Sequence, residues 1–445
     1  MSKVSMVSLG CPKNQVDAEQ MLYTLKNAGF EITSSEAEAD AIIVNTCGFI
    51  ESAKAEAIEN ILEAAKYKKD GKCRAVIVTG CLAERYRDDV TEEIPEVDVC
   101  VGIGANGKIA DIVSAALNKA ARNTYGEKYD LDLNSPRILG GPHYTAYLKI
   151  ADGCDNCCTY CAIPKIRGRM RSRKIEDIVA EAKTLSESGV KELIVVAQDT
   201  TAYGEDLYGK PALCELLREL AKVPGIVWIR TLYTYPERIT DEFLFLLRDE
   251  PKLVKYIDMP IQHCSDRILS RMNRKSKKEE LTALIGHIRE TVPGVTLRTT
   301  LITGFPGETD EEFTELHAFV KEMRFDRLGC FAYSAEEDTL AATFDGQIDP
   351  QTKEDRLELI MQSQNGIAAE LNEAKIGSAV KVLIEGYDDY IKCYFGRSAA
   401  DAPEIDGKVF FITKKPLKIG DFANVRINDV LEYDLLGEME NEFAE

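Results

Sequence analysis

Short, strongly apolar runs alternate with longer amphipathic stretches through the first 104 residues. KVSMVSLG reads as a strand, and VDAEQMLYTLKNAGF reads as an amphipathic helix ended by Gly29. AIIVNTC is a second strand, ESAKAEAIENILEAAKYKKDG a helix with Gly71 just past its end, and AVIVTGC and VDVCVGIG are further strands. Apolar runs without polar alternation, placed between helices, predict a buried parallel sheet.

After a Pro/Gly-broken linker at 134–142 (NSPRILGGP) the alternation resumes with longer periods. Candidate strands are TAYLKIADG, ELIVVAQDT, VWIRTLY, YIDMPIQ, VTLRTTLITGF and RLGCFAYS, separated by helical stretches such as IEDIVAEAKTLSESG and DEEFTELHAFVKEM. Six such units predict a partial or complete α/β barrel with its site at the carboxyl ends of the strands. A long helical stretch covers 352–375, and short β segments broken by Gly, Pro and Asp follow from Ile376, which predicts a small all-β barrel. The fold class expected is therefore α/β, with domains at 1–140, 141–375 and 376–445.

A chain of 445 residues is too long for one ordinary core, in line with that division. No apolar stretch approaches the ~20 residues of a membrane helix, and the first residues lack a secretory signal's apolar core, so a cytoplasmic protein with no membrane partner is expected. The net charge is −20, and the last domain alone has 8 Lys/Arg against 14 Asp/Glu. Binding nucleic acid rests on Lys and Arg neutralising phosphates, so this balance favours a basic protein partner over direct tRNA binding.

Thirteen cysteines against four histidines change the picture further. Cys11, Cys47 and Cys81 each directly follow a strand, in LGCPKN, NTCGF and TGCLAE, and strands of a parallel sheet end on one shared edge. Cys73 and Cys100 fall elsewhere in the pattern and read as buried thiols, and Cys214, Cys330 and Cys393 read as packing residues. The densest cluster is ADGCDNCCTYCAIP, where Cys154, Cys158 and Cys161 have a spacing that wraps a cubane with one iron left open. Two other readings stand beside it: a structural zinc site recruiting Cys157, and an electron carrier, which would want a fourth cysteine.

CxxxCxΦC, with Tyr160 before the last cysteine, resembles the motif of the radical S-adenosylmethionine superfamily. That resemblance implies an open iron that chelates S-adenosylmethionine and a reduced cluster that cleaves it to a 5′-deoxyadenosyl radical. Over nearly its whole length the chain further resembles the methylthiotransferase family, through SLGCPKNQVDAE, VNTCGFI, VTGCLAERY, GRMRSRK, PIQHCSDRILSRMNR and TLITGFPGETDEEF. The resemblance implies a second 4Fe–4S cluster on Cys11, Cys47 and Cys81, a C-terminal TRAM module that contacts the substrate, and an external electron donor. One branch of that family modifies an adenosine of tRNA and another an aspartate of ribosomal protein uS12. SLGCPKN, WIRTLYTYP and GRSAADAPEIDG resemble the uS12 branch, and the acidic β domain suits a basic ribosomal protein. A non-catalytic metal-binding scaffold remains the third alternative.

Gln198, Asp199 and Arg230 fall where a barrel presents cofactor contacts, or are ordinary polar strand-end residues. Gly304, in GFPGE, resembles a superfamily stretch near the adenine, or serves loop geometry ahead of a capping box made by Thr309 and Glu312. In KIRGRMRSRK, Lys165, Arg167, Arg169, Arg171 and Arg173 occupy every second position. An extended segment would put all five on one face, to meet RNA or acidic neighbours.

Overall fold

A computed structural model describes residues 1–440. The first sheet holds β1 (Lys3–Ser8), β2 (Glu31–Ile32), β3 (Ala41–Thr46), β4 (Ala75–Gly80) and β5 (Val99–Cys100), all parallel, in the order β2-β1-β3-β4-β5. Every residue of β3 and β4 is buried, because successive side chains leave on opposite faces and helices cover both. Ile43 and Ile77 pack with Met21 and Leu25 of the helix Pro12–Asn27 and with Val113 of Ile109–Leu117. Ile42, Val44, Val76 and Val78 pack with Ala57 and Ile61 of the helix Glu51–Asp70 on the other side. The strand order reverses between β1 and β3, which opens a crevice beyond their carboxyl ends.

The second region contains β6 (Thr145–Lys149), the short strands β7 (Ala151–Asp152) and β8 (Arg171–Ser172), then β9 (Glu192–Val196), β10 (Trp228–Thr231), β11 (Tyr256–Asp258), β12 (Thr296–Thr303) and β13 (Arg327–Ala332). Parallel sheets β10-β9-β6 and β11-β12-β13 meet through a parallel bridge between Ile229 and Leu253, giving an open barrel of six strands. Leu193, Val195, Leu297 and Leu301 face the surrounding helices. The opposite face of the strands turns inward with Tyr147, Ile194, Val196, Trp228 and Tyr256. β7 and β8 pair antiparallel, Ala151 with Ser172 and Asp152 with Arg171, and so pin the base of the loop that carries Cys154, Cys158 and Cys161.

A 24-residue helix, Pro350–Glu373, leads to β14 (Ala379–Asp388), β15 (Cys393–Ser398), β16 (Val409–Ile412), β17 (Phe422–Leu431) and β18 (Asp434–Met439), a closed barrel in the order β14-β15-β16-β18-β17. Val382, Ile384, Phe411, Val425 and Ile427 fill it. Register shifts at Ile384/Gly386 and Ile427/Asp429 supply the bends that closure needs. This module closes the foot of the open barrel: Leu383 and Ala402 join Ile194, Trp228 and Tyr256 in one cluster, and the Trp228 and Phe422 rings meet edge-on at 4.8 Å. Glu192 is the polar clamp there, accepting from Arg230 Nε at 3.0 Å and Arg397 Nη2 at 2.6 Å. Among the described residues no helix is long and apolar enough to cross a membrane.

Two expectations are corrected. Arg230 is fully buried in β10 and faces inward, but it sits below the strand ends, where its Nη1 donates to the Ala399 carbonyl at 2.9 Å. It belongs to the seat of the C-terminal module, and phase along the strand alone did not reveal its height. The basic strip is the second correction. A short helix, Ile163–Arg167, interrupts the extended run, so the five cations diverge. Lys165 and Arg169 are exposed, Arg167 is fully buried, and Arg173 is buried against the Lys149 carbonyl and Glu181.

Candidate functional site

Close backbone approach brings the first three cysteines together. Gly10, at φ 88°, lies so near the neighbouring loop that a Cβ there would stand 2.7 Å from the Cys47 Cβ. Gly80, at φ 94°, would put a Cβ 2.4 Å from the Thr46 carbonyl oxygen. Only glycine combines that φ with that clearance. Asn14 ties the loops: its Nδ2 donates to the Leu9 carbonyl at 2.7 Å and reaches that of Thr46 at 3.3 Å, while Asn45 Nδ2 donates to the Asn14 carbonyl at 2.8 Å. Cys11 is the residue before the helix Pro12–Asn27, and Cys81 opens the helix Cys81–Tyr86.

The second set is shaped by turns. The Cys161 amide donates to the Cys158 carbonyl at 3.0 Å, and Thr159 is anchored through its amide to Met272 and its hydroxyl to Arg271. Cys157 is exposed, at φ 50°, and stands outside the cavity wall, so it does not supply the fourth ligand of a zinc site.

All six cysteines line one cavity of about 360 Å³. Tyr160 and Gln198 line it as well, together with Asn156 of the cysteine loop, Tyr233, Tyr235 and Gln262 beyond the carboxyl ends of β10 and β11, and Thr300 of β12. Its cations are Lys13, Arg167 and Arg274, and among the described residues no Asp or Glu lines it. Asp199 borders an adjacent cavity with Cys154 and Asn156, accepting from Asn156 Nδ2 at 2.8 Å. Gly304 does not line the cavity; its φ is 69°, a Cβ would press on Lys353, and its amide donates to Glu308 at 2.9 Å. That geometry fits the loop reading of Gly304, and the capping box of Thr309 and Glu312 is present as expected.

Between the two cysteine sets runs a buried charge network that motif reading missed. Arg167 Nη1 donates to Asp17 at 2.9 Å and to Asp152 at 3.1 Å, while Nη2 lies 3.6 Å from Cys81 Sγ. Lys149 pairs with Asp17, and Gln198 Nε2 donates to Asp152 at 2.9 Å. Burial pushes the Asp152 carboxyl up, but Arg167 and Lys149 outweigh it and hold it far below the ordinary carboxylate range. Arg171 Nη2 stands 4.0 Å from Asp152 as well, so three cations face two carboxylates. The alternate spacing of basic residues was its only trace in the sequence.

Burial raises the thiols of Cys47, Cys81, Cys154 and Cys161, Cys81 to about 12 and Cys154 to about 11. Cys11 moves the other way: burial is outweighed by Lys13, Arg167 and the amides of Asn14 and Lys13. Buried thiols of this kind ionise when a metal takes the proton's place. All thirteen cysteines are free, and among the described residues no three Cys, His, Asp or Glu side chains close to single-ion spacing. Three thiols from the N-terminal loops and three from the barrel loop line the cavity, a soft, all-sulfur donor set of the kind that holds iron–sulfur clusters.

Family models match in three places: the uncharacterized protein family UPF0004 at 3–102, the radical SAM superfamily at 148–320 and the TRAM domain at 376–439. Together with the shared cavity they define a radical S-adenosylmethionine enzyme that carries a TRAM domain. Ribosomal protein uS12 methylthiotransferases RimO of Desulforamulus reducens (51% identity; 99% of this chain, 100% of that one) and Clostridioides difficile (50%; 100% of each) align end to end. The chain belongs to that methylthiotransferase family, whose members use S-adenosylmethionine and 4Fe–4S clusters. The fold is shared with a radical S-adenosylmethionine methyltransferase, TsrM, from Kitasatospora setae, solved with cobalamin and a [4Fe-4S] cluster (TM-score 0.56, 15% identity, 75% of each chain).

Proposed function

We propose that this enzyme adds a methylthio group to the β-carbon of an aspartate of ribosomal protein uS12. One 4Fe–4S cluster would be held by Cys11, Cys47 and Cys81, the other by Cys154, Cys158 and Cys161. With both clusters and S-adenosylmethionine bound, the cofactors supply a carbon radical that removes the β-hydrogen and a methylthio group that replaces it. The opening of six free cysteines onto one cavity carries this reading, because hydrogen removal and sulfur transfer must reach the same carbon.

The chain's own residues hold and shield that space. Asn14 and the glycines fix the N-terminal thiols, the paired β7 and β8 fix the barrel thiols, and Arg167 locks one set against the other. Tyr160, Tyr233 and Tyr235 wall the cavity with rings, which keeps water from a reactive carbon. We assign 1–140 to the auxiliary-cluster domain, 141–375 to the radical domain and 376–445 to a TRAM-like module that receives uS12. The acidic balance of that module suits a basic partner. A cytoplasmic ribosomal substrate and an external electron donor complete the reading.

The test is an anaerobic assay of one reconstituted preparation on uS12 and on tRNA, with S-adenosylmethionine, a sulfur source and a reductant. Mass spectrometry should find one added methylthio group on a uS12 aspartate, absent from uS12 of cells lacking the gene. Modification of tRNA alone would overturn the proposal.

A further inference from the structure

Lys13 is 7% exposed, and its ammonium stands 3.6 Å from the centre of the Tyr233 ring, a contact that spans from the N-terminal domain to the barrel. Among the described residues no carboxylate lies within ion-pairing distance of it. The other two cations of the cavity are differently placed. Arg167 is neutralised from behind by Asp17 and Asp152. Arg274 lies over the Tyr235 ring at 3.8 Å, and Tyr235 reaches Cys158, so Arg274 belongs to the side of the barrel thiols. Besides the ring, Lys13 faces only the Cys11 sulfur on its own loop, so its buried charge has no carboxylate partner among the described residues and can accept one from a substrate.

We propose that Lys13 binds the side-chain carboxylate of the substrate aspartate, an inference that rests on the function proposed above. Replacement of a β-hydrogen leaves the carboxylate intact, and that carboxylate is one bond from the reacting carbon. An ammonium in the cavity that both sets of thiols line therefore grips the target by the nearest group that chemistry does not consume, and fixes the β-carbon within reach of both clusters. Asparagine, with the same shape and no charge, would lose the charge-assisted bond.

The experiment is a two-by-two binding comparison with reconstituted holoenzyme under anaerobic, non-turnover conditions. Wild type and Lys13→Gln are each titrated with uS12 carrying the native aspartate and with uS12 in which it is changed to asparagine. Wild type should bind the asparagine form about tenfold more weakly, the scale of one hydrogen bond to a charged group. Lys13→Gln should bind the two forms equally, and Lys13→Arg, the fallback if the glutamine variant does not fold, should restore part of the preference. Iron content and the midpoint potential of each cluster are measured on the same samples. A Lys13→Gln enzyme that keeps the tenfold preference, or that weakens both forms equally while shifting the N-terminal cluster's potential, assigns Lys13 to the cluster and overturns the proposal. Wild type that methylthiolates uS12 but binds both forms alike also overturns it, with the parent function intact. Wild type that neither binds nor modifies uS12 removes the parent function as well.

Discussion

Arg167, which follows the barrel's cysteine loop, donates to Asp17 on the first helix of the N-terminal domain across 2.9 Å, with both side chains about 1% exposed. Removing one partner of a buried pair strands the other's charge, which costs far more than the pair contributes. Arg167→Met should therefore destabilise the protein by about 3–5 kcal/mol. Because the same guanidinium touches Cys81, iron at the N-terminal site should fall first. Thermal unfolding with iron analysis checks both, and Asp17→Asn should show the stability loss with less loss of iron.

Each cysteine set is separable by iron count. Replacing Cys11, Cys47 and Cys81 together by alanine should lower reconstituted iron from about eight to about four per chain and leave reductive cleavage of S-adenosylmethionine measurable. Replacing Cys154, Cys158 and Cys161 should lower iron to the same degree and abolish 5′-deoxyadenosine. Replacing Cys157 should do neither, since its thiol is exposed and outside the cavity.

Arg230 provides the contrast. Arg230→Met leaves Glu192 with Arg397 alone and frees the Ala399 carbonyl, so stability should fall by about 3 kcal/mol or more. Affinity for S-adenosylmethionine, measured on folded protein at low temperature, should stay within a factor of about two, because a direct contact to ligand would be worth tenfold or more.

Acid sensitivity has a local source at Glu312. Burial raises its carboxyl, but Arg267 at 2.9 Å, the Thr309 amide at 3.0 Å and the Ser265 hydroxyl at 2.8 Å bring it from 4.5 down to about 2. A depressed carboxyl contributes stability that is fully present above its unfolded value and is lost as pH falls through the folded one. Half-exposed Arg267 is screened by solvent, so the contribution is about 1–2 kcal/mol. Glu312→Gln should be less stable than wild type by that amount at pH 7, and the difference should close between pH 4.5 and about 2 in denaturant titrations.

What could be read in advance depended on the range over which residues act. Cys11, Cys47 and Cys81 were legible because the end of a parallel strand has a known destination, and the order β2-β1-β3-β4-β5 sends all three to one edge. The loop of Cys154 declares itself through spacing over eight residues. Arg230 misled because alternation tells which face a side chain takes but not how far up the strand the cavity begins. Arg167 was hidden because five residues of helix broke a pattern that only an extended chain preserves. Lys13 stands two positions from a marked cysteine, and its significance lies in the ring it reaches, Tyr233, 220 residues later.

The grip of Arg230 and Arg397 on Glu192 bolts the C-terminal barrel to the foot of the open one. On the proposed function, the span from a landing surface on that module to the cavity is set once, when the chain folds, and works as a fixed gauge. A visiting loop is sorted by reach as well as by charge: each residue too few leaves its tip about 3.3 Å short. A different substrate would then have to be met by different loop tips, because the ion pairs at Glu192 hold the module in one orientation.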